Sequence, residues 1–238
     1  MIKVENVSYS YEGDGKVLKN ITFEAKCGES IGIIGANGAG KSTLLKTIVG
    51  LIDGYEGTIS AFDMEVNKKN LGEIRKRIGY VFQDSESQLF MSSVYDDVAF
   101  GPRNYGGNRQ EIDRMVREAL TKVNGEKLID KKTYKLSGGE KKIVSIATAL
   151  ATSPECLLMD EPTIALDPRN RRNLINLLNT FSQLRIIASH DLDMVMDTCE
   201  RVILIDEGAI VADGAADKIL RDKELLESHG LELPLRLL

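Results

Sequence analysis

Eight consecutive residues, Gly35 to Ser42 (Gly-Ala-Asn-Gly-Ala-Gly-Lys-Ser), fill the pattern G-x-x-x-x-G-K-[ST] without a gap. A strand-like apolar run, Ser30 to Ile34, leads in, and a helical pattern, Ser42 to Val49, leads out. A phosphate cradle needs that context. Glycines let successive backbone N–H groups converge on anionic oxygens, and the start of a helix adds partial positive charge. Lys41 can then reach the terminal phosphates while the Ser42 hydroxyl ligates Mg²⁺. The spacing predicts nucleotide contacts from Gly35, Asn37, Gly38 and Ala39, and from Gly40, Lys41, Ser42 and Thr43. The competing reading is a glycine-rich strand-to-helix turn, which the flanking pattern disfavours.

Two other places carry residues suited to the same chemistry. The short apolar strand Cys156–Met159 runs into Asp160 and Glu161. A carboxylate at the C-terminal edge of such a strand, beside a phosphate loop, can hold Mg²⁺ directly or through water. Glu161 is placed to polarise an attacking water as general base. Without the phosphate loop, the pair would read as solvated acids. Gln83 follows the apolar stretch Ile78–Phe82, where its amide can bond both Mg²⁺-bound water and the nucleophile, or simply end a strand. Ser137 and Glu140, in Leu136-Ser137-Gly138-Gly139-Glu140, fit the S-x-x-E capping box before a helix whose expected apolar face is Ile143, Ile146, Ala147 and Leu150. Gly138 and Gly139 in the first turn weaken that helix unless something must approach its backbone closely. Ser137 with the bare N–H groups then makes a second anion site. Asp167 before Pro168 reads as a helix cap with proline at the first helical position.

Several elements must position these residues. Ile2–Tyr9, Leu18–Ala25 and Gly57–Phe62 look like short strands. Residues 71–151 become mostly helical, with Arg109–Val123 carrying apolar positions at helical spacing. Strands return at Cys156–Met159 and Ile186–Ala188, a helix at Arg169–Leu178, and a hairpin at Arg201–Ile205 with Ala209–Ala212. The order implies an α/β fold with a mostly parallel nucleotide-binding sheet, an antiparallel β portion near the N-terminus, and a helical lobe inserted around residues 90–140. One domain over residues 1–238 accommodates this.

Composition narrows the function classes. Hydrophobic residues at 42% and charged residues at 28% are ordinary for a soluble globular protein. The net charge of −5, with scattered lysines and arginines, argues against a nucleic-acid clamp. No apolar run reaches bilayer-spanning length, and the N-terminus enters a strand pattern rather than a signal sequence. Cys27, Cys156 and Cys199 lack metal-ligand spacing and read as free thiols in a reducing, cytosolic compartment. The leucine-rich stretch from Leu225 to Leu238 is expected to fold back on its own domain, a partner contact being the alternative.

The phosphate loop, the Leu-Ser-Gly-Gly-Glu string, Cys156 to Thr163, Ala165-Leu166-Asp167-Pro168 and Ala188-Ser189-His190-Asp191 together resemble the ABC ATPase family over roughly residues 2–214. Tyr80 to Asp84, Gln88-Leu89-Phe90 and Val94 to Pro102 resemble the ATPases of energy-coupling factor transporters, the cobalt, nickel and vitamin importers. That resemblance implies a γ-phosphate contact for His190 and an adenine platform at Tyr11, with Tyr9 as competitor. Alternation puts both tyrosines on one strand face. It also implies a head-to-tail dimer in which Ser137, Gly138 and Gly139 of one subunit close over ATP held by the other, with Asp167 at the interface. The dimer partner is a second copy or a paralogue. A transmembrane coupling protein and a membrane subunit that binds the transported solute complete the expected complex. Phe90 and Tyr95 would line the docking groove for the coupling protein, unless they pack the core of the lobe. Position 140 is Glu where many relatives carry Gln, and both complete the capping box. Many relatives continue into a further C-terminal region that reinforces the dimer, a contact not expected of a sequence ending at Leu238.

Two other functions compete with transport. One is a soluble ABC ATPase serving iron–sulfur assembly, DNA maintenance or translation. The absence of a coiled-coil insertion and of a second ATPase domain counts against the last two. The other, a nucleotide-binding regulator without turnover, conflicts with Glu161 and His190.

Overall fold

Inward Ile2 and Val4 alternate with outward-leaning Lys3 and Glu5 along the first strand, until Asn6, at φ 52°, breaks the register and turns Val7 inward. In the computed structural model, which describes residues 1–13 and 15–238, this strand is β1 (Ile2–Ser10). It pairs antiparallel with β2 (Lys16–Ala25), and β3 (Ser30–Ile34) then leads to α1 (Lys41–Ile48). β4 (Glu56–Ala61) pairs antiparallel with the other side of β1, and β5 (Met64–Glu65) with β4. The expected antiparallel N-terminal portion is therefore the sheet β2-β1-β4-β5.

The chain divides into two compact units, residues 1–75 with 183–238, and residues 76–182. α2 (Leu71–Arg77) spans the change from one to the other in sequence. In the second unit β6 (Ile78–Val81) is followed by α3 (Val94–Asn104), α4 (Arg109–Lys122) and α5 (Gly138–Leu150), which pack on one another. β7 (Cys156–Asp160) pairs parallel with β6, and α6 (Pro168–Asn179) completes the unit. α4 starts where its sequence says it should, at a capping box between Asn108 and Glu111. The expected face of α5 needs correction. Ile146, Ala147 and Leu150 are buried, but Ile143 is only half-buried, and Lys142, Val144 and Ser145 go inside.

The chain returns to the first unit with β8 (Leu184–Ala188), α7 (Leu192–Thr198), β9 (Arg201–Asp206) and β10 (Ala209–Ala215). β3 lies between β8 and β9, parallel to both, and all five of its residues are buried. A strand covered on both faces reads as a continuous apolar run, as Ser30–Ile34 does. β9 and β10 form the expected antiparallel hairpin. Two short helices, α8 (Ala216–Leu220) and α9 (Lys223–Ser228), precede a single helical turn at Leu235–Leu237. All three cysteines are free thiols.

Candidate nucleotide site

β3 stops at Ile34, and the loop beyond it turns directly into α1. Gly40 sits at φ 104°, and a Cβ there would stand 2.8 Å from the Val17 carbonyl oxygen, so only glycine fits. No side chain caps α1, and its first turn contains no acidic residue. By contrast α3, α4, α5 and α6 are closed by Ser93, Asn108, Ser137 and Asp167. The positive end of α1 is thus suited to an anion, with no acidic residue in its own first turn to oppose one. Lys41, 7% exposed, donates from Nζ to the carbonyls of Gly35 at 2.7 Å and Ala36 at 3.0 Å, which folds its ammonium back over the loop. Asn37 and Gly38 are exposed at the loop tip, Gly35 and Ala39 are buried, and Ser42 is half-buried.

Thr43 is buried, and its hydroxyl lies 3.3 Å from the hydroxyl of Tyr11. Tyr11 is 40% exposed and meets Tyr9 edge-to-face, with ring centroids 5.0 Å apart. The expectation that both tyrosines share a strand face is corrected. Register breaks at Tyr9 and Ser10, β1 ends at Ser10, and Tyr11 lies beyond the ladder. His190 follows β8 and is exposed. The Ser189 N–H donates to the Ile33 carbonyl at 3.1 Å, so His190 and the phosphate loop leave neighbouring parallel strands at the same C-terminal edge. Ligands bind α/β sheets at that edge.

The second unit repeats the design. Val81 of β6 pairs with Met159 of β7, so Gln83 and the Asp160–Glu161 pair also leave one C-terminal edge. Asp160 is 2% and Glu161 5% exposed, whereas Gln83 is exposed. Glu161 adopts φ 46°, a left-handed conformation that costs an L-residue about 1–2 kcal/mol. Such strain collects where a side chain must be aimed for function. Ser137 and Glu140 form the expected capping box, with Ser137 Oγ accepting from the Glu140 N–H and the Glu140 carboxylate from the Ser137 N–H. The Lys131 ammonium and that N–H hold the Glu140 carboxyl below the usual carboxylate range. Ser137 and Gly138 are exposed, and Gly139 is half-buried. A Cβ on Gly139 would stand 3.2 Å from the Ala165 carbonyl oxygen, so one close neighbour of this glycine belongs to the same chain. Asp167 is exposed and caps α6 by accepting from the Asn170 N–H, which depresses its pKa, and Pro168 stands at the first helical position.

Sequence reasoning missed Lys142. It is 1% exposed, and its Nζ donates to the carbonyls of Phe82 at 3.0 Å and Gln83 at 2.7 Å. Burial pulls its pKa down to about 8, against the opposing pull of Asp160, Asp84 and Glu161. Gln88 adds to the same fastening. Its side chain accepts from the Phe82 N–H and donates to the Ser145 carbonyl and the Thr148 hydroxyl on α5. The signal was a lysine four residues before Ile146, inside the buried stripe of α5.

A sequence profile described as ABC transporter matches residues 18–164. This chain belongs to the ABC transporter family. A putative ABC transporter ATP-binding protein of Geobacter sulfurreducens is 46% identical over 99% of the chain and 94% of its own length. The energy-coupling factor transporter ATP-binding protein EcfA of Carboxydothermus hydrogenoformans is 40% identical over 98% of the chain and 87% of its own length. Among solved structures, cbiO1 of Clostridium perfringens, described as part of the ABC transporter complex cbiONQ, superposes with a TM-score of 0.82 at 37% identity, covering 95% of this chain and 93% of its own. The ATP-binding cassette MJ0796, solved as a dimer in a post-hydrolysis state with ADP and Pi, gives 0.83 at 28% identity, covering 91% and 99%. The fold is that of the P-loop ABC ATPases.

The chain is the ATP-binding subunit of an ABC transporter and an ATPase, with ATP and Mg²⁺ as its cofactors. Its residues fit both. The uncapped, acid-free start of α1 and the Lys41 ammonium suit a triphosphate. Taken by itself, the first unit offers the Ser42 hydroxyl, and the second the Asp160 carboxylate and Gln83 amide, all hard oxygen donors of the kind Mg²⁺ takes. Among the described residues no helix is long and apolar enough to cross a membrane.

Proposed function

We propose that this ATPase powers a membrane importer of the energy-coupling factor kind, carrying metal ions or vitamins. The likeness to EcfA and to cbiO1 over nearly the whole chain supports that class. It also disfavours a soluble ATPase uncoupled from transport. Residues 1–238 act as one ATPase module, with the helices around 90–140 as its lobe and residues 215–238 as its tail. The module works at the cytoplasmic face of the membrane, beneath a transmembrane coupling protein and a solute-binding membrane subunit.

The phosphate loop, from Gly35 through Thr43, grips the triphosphate, and Tyr11 stacks on the adenine. Ser42, Asp160 and Gln83 hold Mg²⁺, which neutralises charge on the phosphates when bound. Glu161 takes the proton of the attacking water, Gln83 orients that water, and His190 contacts the γ-phosphate. The exposed tip at Ser137, Gly138 and Gly139, from a second copy or a paralogue, supplies N–H dipoles to the developing charge, with Asp167 at the seam. ATP thereby joins two subunits and hydrolysis releases them.

The observation that carries the hydrolytic reading is Glu161, buried and held left-handed directly after the β7 carboxylate. Glu161→Gln should bind ATP with unchanged affinity and lose turnover by about a thousandfold. With ATP it should elute from gel filtration as a dimer. Wild-type turnover in this variant would remove Glu161 from its role, and a strictly monomeric ATP-loaded variant with no pairing paralogue would remove the shared site.

A further inference from the structure

The residues after α9 are fastened at both ends of a path that skirts the phosphate loop. His229 Nδ1 lies 2.8 Å from Asp206 Oδ2 at the end of β9. β9 pairs with β3 through Leu204 opposite Ile34, which puts Asp206 beside the entrance to the phosphate loop. Gly230 comes next, and a Cβ there would be in ordinary contact, 3.8 Å, with the Cβ of Ala36 in that loop. At the other end the chain grips α7. Asp193 Oδ2 accepts from the Leu235 N–H at 2.9 Å. Asp193 Oδ1 accepts from the Arg236 N–H at 3.3 Å and from its Nε at 3.0 Å. The Arg236 Nη1 donates to Asp197 Oδ1 at 2.6 Å, and Nη2 to the Asp193 carbonyl at 3.2 Å.

Asp193 and Asp197 lie on the same face of α7, one turn apart. Their side chains are only 19% and 20% exposed, so the guanidinium sits between two partly desolvated carboxylates. A forked, charge-assisted arrangement of this kind fixes geometry as well as attracting. α7 begins immediately after Asp191, next to His190, and it packs on β3, the strand that feeds the phosphate loop. The segment from Gly230 to Arg236 therefore touches the phosphate loop at Ala36 and holds α7, the helix that starts next to His190, at Asp193 and Asp197.

We propose that Arg236 is a positioning residue for ATP hydrolysis: it clamps α7, and through α7 sets His190 relative to the phosphate loop. This rests on the γ-phosphate role given to His190 above. Arg236 touches no nucleotide and acts only through the helix it holds. The leucine-rich tail is thus part of the machinery that aligns the site, not a passive end.

Steady-state ATPase kinetics on the full chain test it, with Arg236→Ala, Arg236→Lys, His190→Ala and the Arg236→Ala/His190→Ala pair. Arg236→Ala should lower kcat by about fivefold to twentyfold and leave the KM for ATP within about twofold, because in the proposed site the phosphate loop and Tyr11 carry most of the ground-state binding while His190 acts mainly in the transition state. Arg236→Lys should recover only part of the loss, since an ammonium cannot span both carboxylates. The pair should be no slower than His190→Ala alone, the mark of residues acting as one unit. Multiplying losses in the pair, or wild-type kcat in Arg236→Ala beside a defective His190→Ala, overturns the clamp. Wild-type kcat in His190→Ala overturns the His190 assignment beneath it, a separate result. Should Arg236→Ala not fold, Asp197→Asn weakens the same grip from the helix side. It should then show a smaller kcat loss that His190→Ala masks, and an unmasked or absent loss overturns the proposal.

Discussion

A lysine with 1% of its surface exposed must surround its ammonium with acceptors or give up the proton. Lys142 finds the carbonyls of Phe82 and Gln83, so the backbone that presents Gln83 is held by a side chain from the first turns of α5. Burial lowers its pKa only to about 8, which leaves the ammonium mostly charged at neutral pH. Replacing it with Met orphans two carbonyls, each worth about 1–3 kcal/mol when buried without a partner. The lost desolvation penalty of the charge offsets part of that. Lys142→Met should therefore fold, yet lower kcat by about tenfold through a loosened Gln83 loop while nucleotide affinity stays within about threefold. Equal kcat in both proteins, with ATP binding measured by calorimetry, would show that the fastening is structural only. Here residue types gave a partial warning, because a charge inside an apolar helical stripe is unusual. The acceptors came from a segment about sixty residues earlier, as the sequence separations show.

At the scale of elements, α3 shows how one acid organises a loop. Asp97, 3% exposed in the first turn of that helix, accepts from the N–H groups of Phe90 and Met91 at 3.1 and 3.0 Å. Its Oδ2 is buried without a partner among the described residues. Burial pushes its pKa above the usual value of 3.8, and the two N–H donors oppose that shift. A folded pKa above the unfolded one means that the folded protein holds this proton more tightly. Its charged form costs stability in full above the folded pKa, and the cost shrinks as pH falls through that pKa towards 3.8. The urea midpoint of wild type relative to Asp97→Asn should accordingly shift in favour of wild type as pH falls from 7 to 3.8. A constant difference would mean that Asp97 is not destabilised by its charge. Helix starts were the most readable elements, because a cap is a local arrangement. The boxes at Ser137 and Glu140, and Asp167 before Pro168, appear as their spacing dictates. The face of α5 was misjudged because periodicity reports apolar residues, and Lys142 and Ser145 are buried polar ones.

For the whole molecule, the question is what the exposed aromatic rings are for. Phe90 is 64% and Phe100 38% exposed, and they meet edge-to-face at 4.9 Å. Phe90 is too open to count as core packing, and the Asp97 carboxylate that accepts from its backbone N–H holds it in place. In the proposed importer these rings meet the transmembrane coupling protein, where apolar anchors at the centre of an interface dominate binding. The double variant Phe90→Ser/Phe100→Ser should keep the basal ATPase of the isolated chain within about twofold and lose co-purification with the membrane partner, a binding loss of about 2 kcal/mol or more. Retention of the complex at wild-type yield would place docking elsewhere.

The amino-acid order alone determined the phosphate loop, the acid pair, both helix caps and the family resemblance. In each of these the chemistry is carried by contiguous residues, whose backbone geometry follows from local sterics and hydrogen bonding. Only the tertiary structure decided that Tyr11 leaves its strand, that Lys142 holds the Gln83 backbone, and that Arg236 reaches back 43 residues to Asp193. Contacts of that length depend on how finished elements pack, and the pattern within any one element does not specify them.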